Sequence, residues 1–600
     1  MDRRDWPNLL TMFFEQAEKN RDRPFLWART QTNSRFHPLT WREVAERIGA
    51  LARALRLHGV QPGDRIVLVS ENRPEWLIAD LAIMAAGAIT VPAYTTNTVD
   101  DHRHIIDNSQ AAGIIVSTRK LSARALAAAH RSSSVRFAIT IGPLERQQSL
   151  DIEITAWDDA IAQGRQDSFD VAKAARGLSR NDTACIIYTS GTGGTPKGVM
   201  HHHGAILHNL YGAQKVLAQL GLDSEVFLSF LPLSHSYEHT AGQFFPIFLG
   251  AQIYYAQSAA QLATDMKDAH PTIIMAVPRL YETMHAKIMH NINADRTATK
   301  SRLFLKTLAL GQKRFIDPSS LTFFERVQDW VLERLVRNKV RKGFGGRLKA
   351  FVSGGAPLNP DIGLFFTAIG IRILQGYGQT ETGPVVSVNT PKDCKLNTVG
   401  PLLPNTEVKI AADGEILVKG ELVMHGYWHD EKTSAKVLKD GWLHTGDVGH
   451  LDADGHLVIT DRKRDIIVNS GGDNIAPQRI EGLLTLEPEI AQAMVYGDKR
   501  PHLVALIVPD LDWLKEWVAT HGKPEDLCAL AHDAQLRAAI AATIERVNTA
   551  LSKVERIHRF LIAPCPFTID NGQMTPTLKI RRYAVKDMYA QELDALYKKR

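Results

Sequence analysis

Two hydrophobic periods divide the chain. In WREVAERIGALARALRLHG, the apolar positions Val44, Ile48, Leu51 and Leu55 keep helical spacing. The pattern predicts a helix that Leu39-Thr40 precede and Gly59 ends. RIVLVS (65–70) is a short β-branched run and reads as a strand. A second helix is predicted from Glu75 to Gly87, and IIVS (114–117) reads as a further strand. Helix and strand alternating in this way predict α/β layers with largely parallel sheet. Past about residue 405 the period falls to two: EVKIAADGEILVKG and HLDADGHLVIT each place an Asp-Gly turn between apolar runs, which predicts hairpins. The charged run Asp461–Asp465, DRKRD, lies between β-rich stretches and reads as a hinge and domain boundary.

Residues 286–350 have a different texture. They are helical in pattern and carry 15 Lys/Arg against 5 Asp/Glu. Phe324, Val327, Val331 and Leu335 form an apolar stripe beside Arg326, Arg334, Arg337, Lys339, Arg341 and Lys342. Two readings fit: a surface that meets anionic lipid, or a core-packed helix with a solvated basic face.

Composition narrows the class. With 600 residues the chain exceeds a single core, which stops growing near about 250–300 residues. The net charge of +6 is mild and gives no argument for nucleic acid. The N-terminal stretch has charges on both sides of its apolar residues and no small-residue cleavage site, so an amphipathic helix is expected there. No apolar run approaches the roughly 18 residues of a membrane span, so any membrane contact is expected to be peripheral. Cys185, Cys394, Cys528 and Cys565 form neither a CxxC pair nor a zinc spacing, and the simple reading is a reducing, cytoplasmic compartment.

Candidate chemistry begins after the apolar run CIIY. Thr189, Ser190, Gly191, Thr192, Gly193 and Gly194 lead to Lys197 in TSGTGGTPKGV. Glycines let backbone N–H groups approach a polyphosphate, hydroxyls add donors, and Lys197 can neutralise phosphate charge. A Walker A loop needs Ser or Thr after its lysine, whereas Gly198 follows Lys197, so a P-loop ATPase is disfavoured. A flexible Gly/Ser loop is the alternative.

TSGTGGTPKGV resembles the phosphate loop of the acyl-adenylate-forming superfamily, which includes acyl-CoA synthetases, peptide-synthetase adenylation domains and beetle luciferases. One position departs: a threonine is usual where Gly193 stands. Further motifs follow in the family's order. SGGAPL, with Gly354 and Gly355, looks like the adenine-side loop. QGYGQTET resembles the GYGxTE signature; it supplies Gln375, Gly376, Tyr377, Gly378, Thr380 and Glu381. The resemblance implies that Tyr377 stacks on adenine, Thr380 meets the α-phosphate, and Glu381 holds Mg²⁺ together with Thr189. Read alone, Tyr377 would be core and Glu381 a surface acid. HTGD places Asp447 as the acceptor of the ribose hydroxyls. In DRKRD, Arg462 takes the ribose-side place and Arg464 the hinge place. SGGDNIAP, with Gly471 and Gly472, matches the loop along the pantetheine tunnel. Val468 stands where some relatives carry a lysine, and that role is not carried over. In GQMTPTLKIRR, Lys579 matches the lysine that bridges the substrate carboxylate and ATP. Without that motif it would be a solvated surface charge.

The resemblance covers roughly residues 15–585. It is strongest to the long-chain acyl-CoA synthetase branch, through DRKRDIIVNSGGDNIAP, TPTLK and LPLSHSYE, whose His235 would lie near the acyl carboxylate. As a lone histidine, His235 is more often a structural hydrogen-bonding group. The implied fold is the adenylate-forming one: a large, multi-lobed N-terminal domain of layered α/β sheets (1–461) and a small, mobile α+β C-terminal domain (462–600). The implied activity converts a carboxylic acid, most often a long-chain fatty acid, and ATP with Mg²⁺ to an acyl-adenylate, then transfers the acyl group to coenzyme A. A carrier-protein acceptor, a medium-chain or aromatic acid, and an inactive nucleotide-binding regulator stay open as alternatives.

Overall fold

The alternation of helix and strand closes into two large sheets in the computed structural model, which describes residues 6–30, 33–143, 152–189, 195–258, 261–294, 299–575 and 579–598. The predicted helix spans Trp41–Leu57. Thr40 and Glu43 close a capping box at its start: Thr40 Oγ1 accepts from the Glu43 N–H at 3.2 Å, and the Glu43 carboxylate accepts from the Thr40 N–H at 2.7 Å. Val44, Ile48, Leu51 and Leu55 are all buried, as their spacing requires. The second predicted helix is Pro74–Ala85, with proline in its first turn, where the missing N–H costs nothing.

The seven-stranded sheet runs in the order Glu153–Ala156, Phe137–Thr140, Gly113–Val116, Arg65–Val69, Ile89–Pro92, Thr183–Thr189 and Lys197–His202. All neighbours are parallel except the last pair, an antiparallel hairpin that sets Lys197 opposite Thr189. The eight-stranded sheet has a parallel centre, Gln252–Tyr255, Val226–Ser229, Ile273–Ala276, Ala350–Ser353 and Ile373–Tyr377. It ends on one side in the antiparallel pair of Pro24–Thr30 and Asn33–Thr40, and on the other in Ser387–Val388. Parallel strands buried by helices on both faces explain the continuous apolar runs.

Beyond these sheets the chain turns antiparallel. Glu407–Ile410 pairs with Glu415–Lys419 across the predicted Asp-Gly turn, and Trp442–Leu451 pairs with Leu457–Arg462 across the second. From residue 467 onward the chain builds its own apolar core on a three-stranded sheet, Ile490–Tyr496, Leu503–Pro509 and Ile557–Ile562. No described helix is long and apolar enough to cross a membrane.

The basic segment is helical, as its pattern predicts, but its apolar stripe does not pack into the core. Phe324, Val327, Val331 and Leu335 are exposed around the helix Phe323–Leu332. The inner side of this helix carries Asp329, which pairs with the buried Arg337 at 2.7 Å and with Arg314 at 2.7 Å. The helix is therefore seated by these ion pairs and by Leu332, which packs with Leu310 and Leu321, and not by the predicted apolar stripe.

Candidate active site

The strand order brings the motifs together. In parallel sheets, ligands bind beyond the carboxyl ends of the strands. Val226–Ser229 leads into the segment of His235, Ala350–Ser353 into Gly354 and Gly355, and Ile373–Tyr377 into Thr380 and Glu381. The neighbouring sheet contributes the end of Thr183–Thr189, so Thr189 and Lys197 flank the phosphate-loop motif. Ser190, Gly191, Thr192, Gly193 and Gly194 lie outside the described residues.

Glu381 sits in a single turn, Thr380–Thr382. The Tyr427 hydroxyl donates to one Glu381 carboxylate oxygen at 2.8 Å, and the Lys197 ammonium lies 5.2 Å from the centre of the same tyrosine ring. Tyr427 thus ties the acid to the lysine. Thr380 Oγ1 meets Ser236 Oγ at 3.1 Å, which joins this turn to the His235 segment. Gly378 is demanded by packing: an added Cβ would fall 1.8 Å from the Pro384 carbonyl oxygen. Gly355 has φ +83°, a left-handed conformation that favours glycine. Gln375 and Gly376 lie in the strand that carries Tyr377.

Asp447 and Arg462 are opposite each other on paired strands, with Arg462 Nε 3.2 Å from Asp447 Oδ1. The Tyr377 hydroxyl donates to Asp447 Oδ2 at 2.7 Å, and the Gln379 amide donates to the same oxygen. This carboxylate is buried but multiply hydrogen-bonded, so its position is fixed. Arg464 lies in the following turn, close enough for its charge to act on Tyr427.

Lys579 comes from the far end of the chain. The Lys579 N–H donates to Thr575 Oγ1 at 3.1 Å, and the Thr575 N–H donates to the Lys579 carbonyl at 2.8 Å, so two hydrogen bonds tie Lys579 to Thr575. Lys579 is exposed to solvent, yet enough protein stands around it to desolvate its ammonium. That desolvation, followed by the positive Arg462, pulls its pKa down to about 8, while Asp447, Asp465 and Glu381 oppose the shift. Burial, with Lys579 nearby, lowers His235 to about 4, so its imidazole is neutral at pH 7. The Tyr237 N–H donates to His235 Nδ1 at 3.2 Å, which leaves the ring proton on Nε2 as a donor. Lys579, His235, Glu381, Asp447 and Arg462 are therefore one electrostatic cluster.

The pantetheine-loop motif is not part of that cluster. Gly471 and Gly472 sit in an exposed turn between Ile467–Val468 and Asn474–Ile475, where Asn469 Oδ1 accepts from the Gly471 N–H at 2.9 Å. Sequence reading also missed Tyr427, Gln379 and Ser236. Gln379 lies within a recognised motif, but Tyr427 stands 46 residues from Glu381 and nothing local marks it. A further buried group escaped notice: Asp80 accepts from Gln243 at 3.0 Å and pairs with His239 at 2.9 Å. It anchors the π-helical segment Glu238–Phe244 just past His235. Burial pushes the Glu238 carboxyl up to about 8.

Among the described residues, no group of three His, Cys, Asp or Glu could hold a metal ion unaided. The carboxylate of Glu381 and the hydroxyl of Thr189 are oxygen donors of the kind a hard Mg²⁺ would accept. Asp447, held by Tyr377, Gln379 and Arg462, and the cations Arg462 and Lys579 that act on one another form a donor set that a magnesium nucleotide could use.

Layered α/β sheets with such a cleft and a separate C-terminal core define the adenylate-forming class of enzymes. The adenylation domain of a carboxylate reductase from Mycobacterium chelonae has this fold: TM-score 0.78 at 22% identity, over 99% of this chain and 92% of that one. The anthranilate CoA ligase AuaEII shares it at TM-score 0.73 and 20% identity, over 99% and 100%. The chain belongs to the AMP-binding enzyme family: the family model matches residues 13–428, and that of the AMP-binding enzyme C-terminal domain matches 464–600. It is 34% identical to the long-chain-fatty-acid–CoA ligase FadD15 of Mycobacterium tuberculosis, over 99% of this chain and 97% of that protein. It is 32% identical to the peroxisomal long chain acyl-CoA synthetase 6 of Arabidopsis thaliana, over 99% and 87%.

Proposed function

We propose that the protein is a long-chain fatty acid–CoA ligase of the AMP-forming type. The carboxylate of the fatty acid attacks the α-phosphorus of ATP; an acyl–phosphate bond forms and pyrophosphate leaves. The coenzyme A thiol then attacks the acyl carbon, loses its proton, and AMP leaves. The observation that carries this reading is the meeting of Lys579 with Glu381, Asp447, Arg462 and His235, on which a carboxylate and a triphosphate would each find a neutralising group.

Attack of one anion on another needs charge neutralisation and alignment, not a nucleophilic side chain. Glu381 and Thr189 would hold a Mg²⁺, which would supply charge neutralisation at the phosphates. Tyr427 holds Glu381 in position and Lys197 beside it. Asp447, with Arg462, receives the ribose; Tyr377 and the Gly354–Gly355 turn flank the adenine; Thr380 faces the α-phosphate. Lys579 spans the acid and the phosphate. Neutral His235 donates its Nε2–H to an acyl oxygen, a role that needs no change of protonation.

The second half-reaction uses the SGGDNIAP loop for the pantetheine arm. Gly471 and Gly472 lie apart from the cluster while Lys579 occupies it, which favours a mobile C-terminal domain (462–600) turning about Arg464 against the N-terminal domain (1–461). A long-chain acid partitions into lipid, so we also infer that the enzyme works in peripheral contact with an anionic membrane surface.

The purified protein is to be incubated with Mg-ATP, coenzyme A and acids from acetate to oleate, plus coumarate. The expected products are AMP, pyrophosphate and palmitoyl- or oleoyl-CoA. Adenylate without thioester would assign a carrier-protein acceptor instead, and absence of turnover with every acid would refute the ligase reading.

A further inference from the structure

The helix Phe323–Leu332 is inverted relative to an ordinary surface helix. Phe323 is 75% exposed, Phe324 78% and Trp330 59%, with Val327, Val331 and Leu335 also exposed. Its protein-facing side combines one apolar contact, Leu332 packed with Leu310 and Leu321, with a set of ion pairs. Asp329 pairs with Arg337, whose guanidinium is fully buried and also donates to the carbonyls of Ala368 (2.7 Å) and Thr307 (3.2 Å). Glu325 pairs with Lys313 at 2.8 Å, and Glu333 with Arg337 and Arg341. A helix buries its apolar side when its only contacts are within the protein. Here the aromatic side is left in water, where a patch of this kind marks an interaction site.

The charges around it select the partner. Glu325, Asp329 and Glu333 are spent on inward ion pairs. Arg326, Arg334, Lys339 and Lys342 are exposed and make no ion pair among the described residues. Arg334 lies over the Trp330 ring at 3.7 Å, a cation held on an amphipathic ring. A shallow, open depression beside the helix is lined by Arg314, Pro318, Ser319, Leu321, Arg326 and Asp329. An aromatic face ringed by arginine and lysine matches the boundary between acyl chains and anionic headgroups. A second copy docked about a two-fold axis would set these cations against their equivalents.

We propose that Phe323–Leu332 and the turn that follows form an in-plane anchor for anionic bilayers. Phe323, Phe324 and Trp330 enter the acyl boundary, and Arg326 and Arg334 meet lipid phosphates. The buried Arg337–Asp329 pair resists the tilt that insertion would impose. This rests on the inferred membrane contact and names the surface that makes it. It does not depend on the catalytic cluster.

The test is co-sedimentation of the full-length protein with vesicles of phosphatidylcholine, alone or mixed with phosphatidylglycerol. The wild-type protein is expected to sediment with mixed vesicles, less so as salt rises. Phe323→Ser/Phe324→Ser/Trp330→Ser is expected to weaken partitioning by roughly tenfold or more, given the apolar area removed. Arg326→Gln/Arg334→Gln is expected to remove the preference for mixed vesicles. Both variants should keep wild-type kcat/KM for monomeric octanoate, which reports an intact fold and site. Failure of the wild-type protein to bind either vesicle would overturn the membrane contact itself. Equal sedimentation of the aromatic variant would overturn this surface alone, as would a concentration-dependent dimer that the aromatic variant abolishes.

Discussion

Replacing Lys579 with alanine separates the two half-reactions. The substitution keeps the two hydrogen bonds that tie residue 579 to Thr575, because both use the main chain of residue 579: the Thr575 N–H to the Lys579 carbonyl and the Lys579 N–H to Thr575 Oγ1. What disappears is one positive charge, in a cleft already carrying Arg462 and facing Asp447 and Glu381. Loss of one preorganised donor of this kind costs about 10²–10³ in rate, or roughly 2.7–4 kcal/mol of transition-state stabilisation. Adenylation should fall by that factor. Transfer from supplied acyl-AMP to coenzyme A should fall less than about threefold, because no charge then needs bridging to a triphosphate. The depressed pKa adds a second signature. With a pKa of about 8, roughly nine-tenths of Lys579 is charged at pH 7 and the charged fraction falls as pH rises through about 8. The kcat/KM of adenylation for ATP should therefore decline above about pH 8. The kcat should hold to higher pH, because bound phosphates favour the ammonium. Single-turnover release of pyrophosphate and formation of thioester measure the two halves separately. Equal loss in both, or a kcat/KM level through pH 9 in the wild-type enzyme, would refute the assignment.

Other positions give independent tests. Tyr427→Phe keeps the ring beside Lys197 but removes the 2.8 Å hydrogen bond to Glu381; a bond to a charged group contributes about 1.5–3 kcal/mol, so the apparent Mg²⁺ affinity should drop by roughly tenfold or more, and an unchanged Mg²⁺ titration would remove the positioning role. His235→Ala should cut kcat/KM for the acid by about 10²-fold without abolishing any inflection between pH 5 and 7, since a group titrating near 4 is neutral throughout that range; an inflection near 6.5 that vanishes in the variant would show that the imidazole titrates in function. Arg464→Pro should stiffen the turn and slow thioester formation more than adenylation, and the opposite order in single-turnover assays would rule out this hinge. Gly378→Ala puts a Cβ within 1.8 Å of the Pro384 carbonyl and should destabilise the fold by more than about 3 kcal/mol; denaturant unfolding at wild-type stability would show that the backbone yields.

Local features were legible in the sequence because their causes are local. The period of Val44, Ile48, Leu51 and Leu55, the Thr40–Glu43 capping box and the Asp413-Gly414 turn each depend on residues a few places apart, and each element appears where the pattern puts it. The ordered motifs likewise identified the family and named Glu381, Asp447, Arg462 and Lys579. Only tertiary structure decided that these four form one electrostatic cluster, because Glu381 lies at the end of a strand of the large sheet and Lys579 comes from the C-terminal region with its own core. It alone supplied Tyr427, whose partner comes from another motif, and it alone set the glycines 471 and 472 apart from the cleft. The basic helix shows the limit most clearly. Periodicity established that Phe324, Val327, Val331 and Leu335 share a face, but not which way that face points. The orientation follows from Arg314 and Arg337 claiming Asp329, and Leu310 and Leu321 claiming Leu332, on the other side, and a periodic pattern holds no record of where its partners lie.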